Sequence, residues 1–206
     1  MISKEINGTA LLNQALTKLG RNLNFKLSRE NTIVFTLPSS HVAQHVFPRE
    51  RIKKVFAQLV IKANDFLIND MGLIYNGKSC GDVQKTNYRE CLPVSSWVIV
   101  SGAFKGLFTF GFDKTLADYL ADKFIVGGLE EDEDRDELFA DAITEVVNVV
   151  IGGASDMFHD SLGNSILEVP VTIWGDVIKC RGTNVDILAY CVNSDHGRFE
   201  IMAVVS

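Results

Sequence analysis

Trp97-Val-Ile-Val-Ser-Gly-Ala-Phe-Lys-Gly-Leu-Phe-Thr-Phe-Gly-Phe112 sets two β-rich runs on either side of a short break, Ala103 to Gly106. β-Branched and aromatic residues suit a pleated, half-buried surface, and two such runs around a glycine-containing turn read as an antiparallel hairpin. In the second run Phe108, Phe110 and Phe112 recur at every other residue and so share one face. Gly111 stands on the other face, where a missing side chain predicts close approach by another part of the chain.

Working outward, Asp113 is placed to cap a helix over about 114–126, stopped by Gly127-Gly128. The acidic run Glu130 to Glu137 then precedes a second helix, where negative charge complements the positive helix end. That helix spans about 136–154 and ends at the pair Gly152-Gly153. Strands are expected over Ile166–Trp174, Asn184–Val192 and Arg198–Val205, with Asn193 to Gly197 as the last hairpin turn. His159 and Asp160 follow the second helix and are expected to border a loop.

On the upstream side Pro48 opens a helix running to about Met71 and Gly72. Ile52, Val55, Phe56, Leu59, Val60, Ala63, Phe66 and Leu67 form its apolar stripe, which should bury against a sheet. Residues 73–92 fit a loop or an edge strand, with a turn at Asn76-Gly77. Before them lie a short helix over 8–20 and two strands, 24–27 and 32–37. Residues 1–45 carry too little apolar surface for a core of their own and are expected to form an extension packed on a main domain, 46–206. Helices, strands, helices and strands in this order do not make alternating βαβ units. The predicted class is α+β, with helices packed on one face of a largely antiparallel β-sheet.

Composition narrows the function. The 206 residues are 47% hydrophobic and carry a net charge of −6, which disfavours a nucleic-acid binder needing a basic face. The basic cluster Arg49, Arg51, Lys53 and Lys54 reads as a solvated helix start. No apolar run approaches the roughly 20 residues that span a bilayer, and no signal pattern opens the chain, so a cytoplasmic protein is expected. Cys80, Cys91, Cys180 and Cys191 form no Cys-x-x-Cys pair and have no histidine at metal-ligand spacing, so reduced thiols without a metal are expected. His41, His45, His159 and His196 have no nucleophile motif beside them, and no phosphate-binding loop follows Gly102 or Gly152.

The second helix holds the candidate chemistry. With Phe139 at zero and about 100° per residue, Ile143, Val146 and Val150 fall within about 40° of it and Ala142 within about 60°. Asp141, Thr144, Glu145 and Asn148 fall between about 140° and 240°, on the opposite side. Glu145 and Asn148, three apart, are neighbours there. Asparagine is a poor helix former because its amide competes for backbone bonds. The pair reads either as plain solvated surface or as a probe that enters a partner's active site.

At these residues the sequence resembles the CheC/CheX/FliY family of chemotaxis phosphatases, most closely CheX. The family mark is Glu-x-x-Asn on a helix followed by a glycine-containing turn, here Glu145-Val-Val-Asn148-Val-Val-Ile-Gly152-Gly153-Ala154. The hairpin Val98 to Phe112, the following helix with Ala117 and Leu120, and Ile166-Leu-Glu-Val-Pro170 resemble the family's order around the site. The motif occurs once, as in CheX-type members, and Gly153 stands where Gly-Asn-Ala is common; if that asparagine braces the turn, glycine loosens it. The resemblance implies a phosphatase acting on the aspartyl phosphate of a CheY-like receiver domain, in chemotaxis or another two-component pathway. It implies that Glu145 pairs with the receiver's lysine and that Asn148 orients the attacking water. Asp141, Thr144 and Gly152 would belong to the receiver-binding surface. No cofactor of its own is implied, since the receiver would supply Mg2+, and a homodimer built through sheet edges is expected. The alternative is a non-catalytic receiver-binding adaptor of the same fold.

Overall fold

The computed structural model of the chain describes residues 24–27, 32–36, 49–76, 84–86, 88–102, 106–125, 135–174, 179–183 and 186–205. In chain order the elements are β1 (Asn24–Leu27), β2 (Thr32–Thr36), α1 (Arg49–Asp65), β3 (Gln84–Thr86), β4 (Tyr88–Glu90), β5 (Val94–Gly102) and β6 (Gly106–Phe112). They continue with α2 (Lys114–Phe124), α3 (Arg135–Gly152), α4 (Ser155–Leu162), β7 (Ser165–Leu167), β8 (Val171–Trp174), β9 (Lys179–Thr183), β10 (Asp186–Ser194) and β11 (Gly197–Val205). The expected helix over 8–20 lies outside the described residues.

The hairpin is β5–β6, in register Val94↔Phe112 to Val100↔Gly106. It sits inside an antiparallel sheet in the order β3-β10-β11-β6-β5, with β7 and β8 end to end along the outer edge of β5. A second sheet, β1-β2-β9-β4, contains the one parallel pairing among the described residues, β2 with β9. Fold class is therefore α+β with a largely antiparallel sheet, as the element order implies.

One sheet face carries the main core. Val98, Phe108, Phe110, Phe112, Phe199 and Ile201 are buried there against the stripe of α1, against Leu116 and Leu120 of α2, and against α3 and α4. Every residue of the α1 stripe is buried except Val60, which packs partly buried on the same core. Past Asp65 that helix widens into a π-helical turn, Phe66–Asp70, which keeps Phe66 and Leu67 in the core. Each large side chain buried this way contributes roughly 1.5–3 kcal/mol before entropic costs.

The opposite face is not left to water. Trp97, Ile99, Leu107, Thr109, Ile187, Met202 and Glu200 all lie at the alternate positions and are all buried. The Gly111 expectation holds: a Cβ there would stand 3.2 Å from Leu92 Cβ, so Leu92 lies directly over the strand. Gly102, with φ +99, ends β5 in the left-handed region, and a side chain there would run into the backbone of Asn164. This close approach brings the α4–β7 turn onto the hairpin end.

Several expectations need correction. The strand expected over Ile166–Trp174 is two strands, because Pro170 has no N–H for the ladder; Glu168 N still donates to Ile99 O at 2.9 Å. Residues expected to border a loop, His159 and Asp160, are exposed positions on α4. Asp113 does sit at the N-cap of α2, but its carboxylate makes no bond to that helix and instead accepts from Arg198 N at 2.8 Å. The expectation of a loop or edge strand over 73–92 holds: β3 and β4 each lie at the edge of their sheet.

Candidate functional site

α3 is held by an apolar arc wider than its stripe predicts. Phe139, Ala142, Ile143, Val146 and Val150 are buried, and so are Val147 and Ile151. β-Branched residues cost a helix some intrinsic propensity, and burial on this arc offsets that cost. At its start Phe139 meets Trp174 of β8 edge-on, centroids 6.0 Å apart. At its end Gly153 N still reaches Val149 O at 3.0 Å, Ala154 N reaches Ile151 O at 2.9 Å, and the chain then bends by 57° into α4. Neither Gly152 nor Gly153 adopts a positive φ. The glycine pair ends the helix by weak propensity at a bend, not by a left-handed cap.

Glu145 and Asn148 stand together on the outer arc. Glu145 is exposed, Asn148 is half-buried, and Asn148 Nδ2 donates to Glu145 Oε2 at 3.2 Å. Asp141 and Gly152 are exposed on the same side, and a Cβ at Gly152 would meet nothing within 4 Å. Thr144 is placed differently from the expectation of a partner-facing residue. It is half-buried, and its hydroxyl lies 2.8 Å from that of Thr172 on β8.

Two neighbours of the pair were not anticipated. Leu138 and Val149 are 46% and 40% exposed, large apolar side chains on the solvent side of α3. Val149, four residues from Glu145, adjoins it on the helix surface, and Leu138 lies on the same side two turns earlier. Their apolar character within an otherwise charged arc was the available signal.

The geometry limits the chemistry. Among the described residues no group of three or more His, Cys, Asp or Glu side chains is placed to hold a metal ion. Cys91 and Cys191 are buried. A cleft of about 510 Å³ opens at the far end of α3, beside Lys114, Arg135, Phe139 and Trp174, on the arc opposite the pair. Glu145 and Asn148 do not line that cleft and stand on the outer arc of α3. A carboxylate and a carboxamide so placed can pair with a cation and offer a hydrogen-bond donor or acceptor.

No single helix among the described residues is long and apolar enough to cross a membrane. Residues 94–190, from β5 into β10 and including all of α3, match the family model described as chemotaxis phosphatase CheX. No curated protein sequence matches the chain. Among solved structures the fold is similar to a chemotaxis protein CheX from Desulfovibrio desulfuricans, at 21% identity and TM-score 0.60, covering 74% of this chain and 99% of that one. It is similar to a CheC-like superfamily protein from a Shewanella species, at 21% identity and TM-score 0.58, covering 74% and 97%. It is also similar to the CheX of Borrelia burgdorferi in a complex with CheY, BeF3 and Mg2+, at 19% identity and TM-score 0.52, covering 73% and 96%. Over residues 94–190, which carry the Glu-x-x-Asn pair, the chain matches the CheX family model, and the fold around that pair is the one CheX- and CheC-like proteins share.

Proposed function

We propose that the protein is a phosphatase for the aspartyl phosphate of a CheY-like response regulator in chemotaxis. The observation that carries this reading is the pairing of Glu145 with Asn148 on the exposed arc of a helix whose other arc is buried. A carboxylate–carboxamide pair on the outer arc of a helix packed into the core can enter a receiver's site without carrying a nucleophile of its own. The match to the CheX family model and the likeness to a CheX complexed with CheY support the choice of partner.

In this reading Glu145 meets the receiver's active-site lysine and fixes the docking register. Asn148 then lies near the phosphoryl group and holds a water in line with the acyl-phosphate bond. Water attacks phosphorus, the P–O bond to the receiver's aspartate breaks, and inorganic phosphate leaves. Phosphoryl transfer of this kind depends on positioning more than on a strong base, and a neutral carboxamide brings no charge to an already anionic group. Magnesium belongs to the receiver. Leu138 and Val149 supply the apolar contact beside the charged pair. The protein would act in the cytoplasm as a homodimer, for which the outer edge at β7–β8, with Ile166 and Val169 exposed, is the surface proposed.

The test is phosphate loss from a phosphorylated CheY-type receiver. The wild-type protein accelerates it, and Asn148→Ala loses the acceleration by about 100-fold or more, the scale seen when one positioned hydrogen-bonding group is removed. A receiver that binds in calorimetry but loses phosphate no faster would replace this reading with that of a non-catalytic adaptor.

A further inference from the structure

We infer that the Thr144–Thr172 hydrogen bond is a positioning device that fixes the rotation of α3, and with it the place of Glu145 and Asn148; this rests on the phosphatase reading of the pair. The two hydroxyls lie 2.8 Å apart, and Thr172 is only 9% exposed. Thr172 sits on β8, whose register on β5 sets it opposite Ser96. Thr144 immediately precedes Glu145 and stands one turn before Asn148.

The remaining described contacts of α3 with the sheet are apolar. Phe139, Ile143, Val146, Val147 and Val150 hold the helix down, but apolar burial is non-directional and tolerates small rotations. A threonine in a helix commonly bonds the carbonyl one turn back. Thr144 directs its hydroxyl to the strand instead, and among the described residues this is the one side-chain hydrogen bond that joins α3 to the sheet. A hydrogen bond weakens steeply with angle and distance, so it opposes rotation where packing does not. Side-chain tips lie about 5–6 Å from a helix axis, so turning α3 by about 10° would move Asn148 by about 1 Å. A misplacement of that size can cost about 100-fold in a reaction that depends on positioning.

The experiment compares wild type, Thr144→Ser, Thr144→Val, Thr172→Val and the double variant Thr144→Val/Thr172→Val. Replacing both hydroxyls by methyls of the same shape leaves no orphaned partner, so the double variant should keep a near-wild-type unfolding midpoint. Its kcat on a phosphorylated receiver should fall by about 10-fold or more while KM holds, with Thr144→Ser retaining activity. The Asn148 side-chain amide is followed in parallel by 15N relaxation in the absence of receiver. Its order parameter should fall in the double variant and recover in Thr144→Ser. Wild-type kcat together with wild-type amide order in the double variant overturns the inference. A wild-type protein that fails to accelerate phosphate loss overturns the phosphatase reading instead, and the amide measurement then decides the positioning role alone.

Discussion

Gly153 stands where the resemblance to CheX would put an asparagine, and its surroundings determine what a side chain there does. A Cβ at this position would lie 3.5 Å from Val149 O, 3.6 Å from Val150 O and 3.9 Å from Lys62 Cδ, all ordinary van der Waals separations. Its φ is not among the positive values found at Gly72, Gly102, Gly163 and Gly197. An L-residue can therefore adopt the existing backbone. Gly→Ala at a compatible position stabilises by about 0.4–1 kcal/mol, chiefly by restricting the unfolded chain. For a chain of this length that is a rise of about 1–4 °C in Tm. Gly153→Asn should gain less, because asparagine is the poorer helix former. The Cβ points toward Lys62 of α1 and away from the Glu145–Asn148 arc, and the turn is already closed by its two backbone hydrogen bonds. Gly153→Asn should thus leave the rate of receiver dephosphorylation at the wild-type level. The control is Gly102→Ala, where φ is +99 and the added Cβ meets the Asn164 carbonyl; its Tm should drop. Circular dichroism melts of the three variants, with phosphate-release kinetics on Gly153→Asn, test the reasoning. A Gly153→Ala protein destabilised like Gly102→Ala would refute the described path through 152–154. A faster Gly153→Asn enzyme would refute the claim that the turn needs no brace.

Val149→Lys, on a side chain 40% exposed beside Glu145, should raise KM for the phosphorylated receiver with no loss of Tm, as measured by phosphate-release kinetics and thermal melts. Burial, reinforced by Tyr190 nearby, pushes the phenol of Tyr75 well above its ordinary range, and its hydroxyl donates to Asn64 Oδ1 at 2.7 Å. A folded-state value raised above the unfolded one gives stability that is intact below the ordinary phenol value of about 10 and is lost as pH climbs beyond it. Urea midpoints should accordingly fall above about pH 10 in wild type. Tyr75→Phe should remove that alkaline decline while losing about 1 kcal/mol at neutral pH, since Asn64 then lacks its donor.

Local periodicity made much of this fold legible. Phe108, Phe110 and Phe112 at alternate positions identified the core face of β6, and Ile52 to Leu67 identified the buried side of α1. The elements that were not anticipated depend on distant partners or on short signals. β9 pairs with β2 in parallel across most of the chain, a contact that no local pattern encodes. α4 is eight residues long, and its Met157, Phe158 and Leu162 were the only cue to a helix after the glycine pair. The second buried sheet face was visible in principle, because Trp97, Ile99 and Leu107 make the β5–β6 runs nearly continuous in apolar residues, as doubly covered strands are.

The candidate site divides along the same line. Spacing alone puts Glu145 and Asn148 side by side, because residues three apart on any α-helix are neighbours wherever that helix lies. What spacing leaves open is where the buried arc stops. On the wheel Thr144 falls about 140° from Phe139, close enough to the boundary for either side. Val147 and Ile151, both buried, extend the covered arc out to about 120° from Phe139, about 180° wide in all, and bring Thr144 to its margin, where Thr172 takes its hydroxyl. A residue expected to face the partner therefore faces the sheet. The pair's identity is a local property of the chain, whereas its aim is set by β8, a strand that reaches the site only through the tertiary fold.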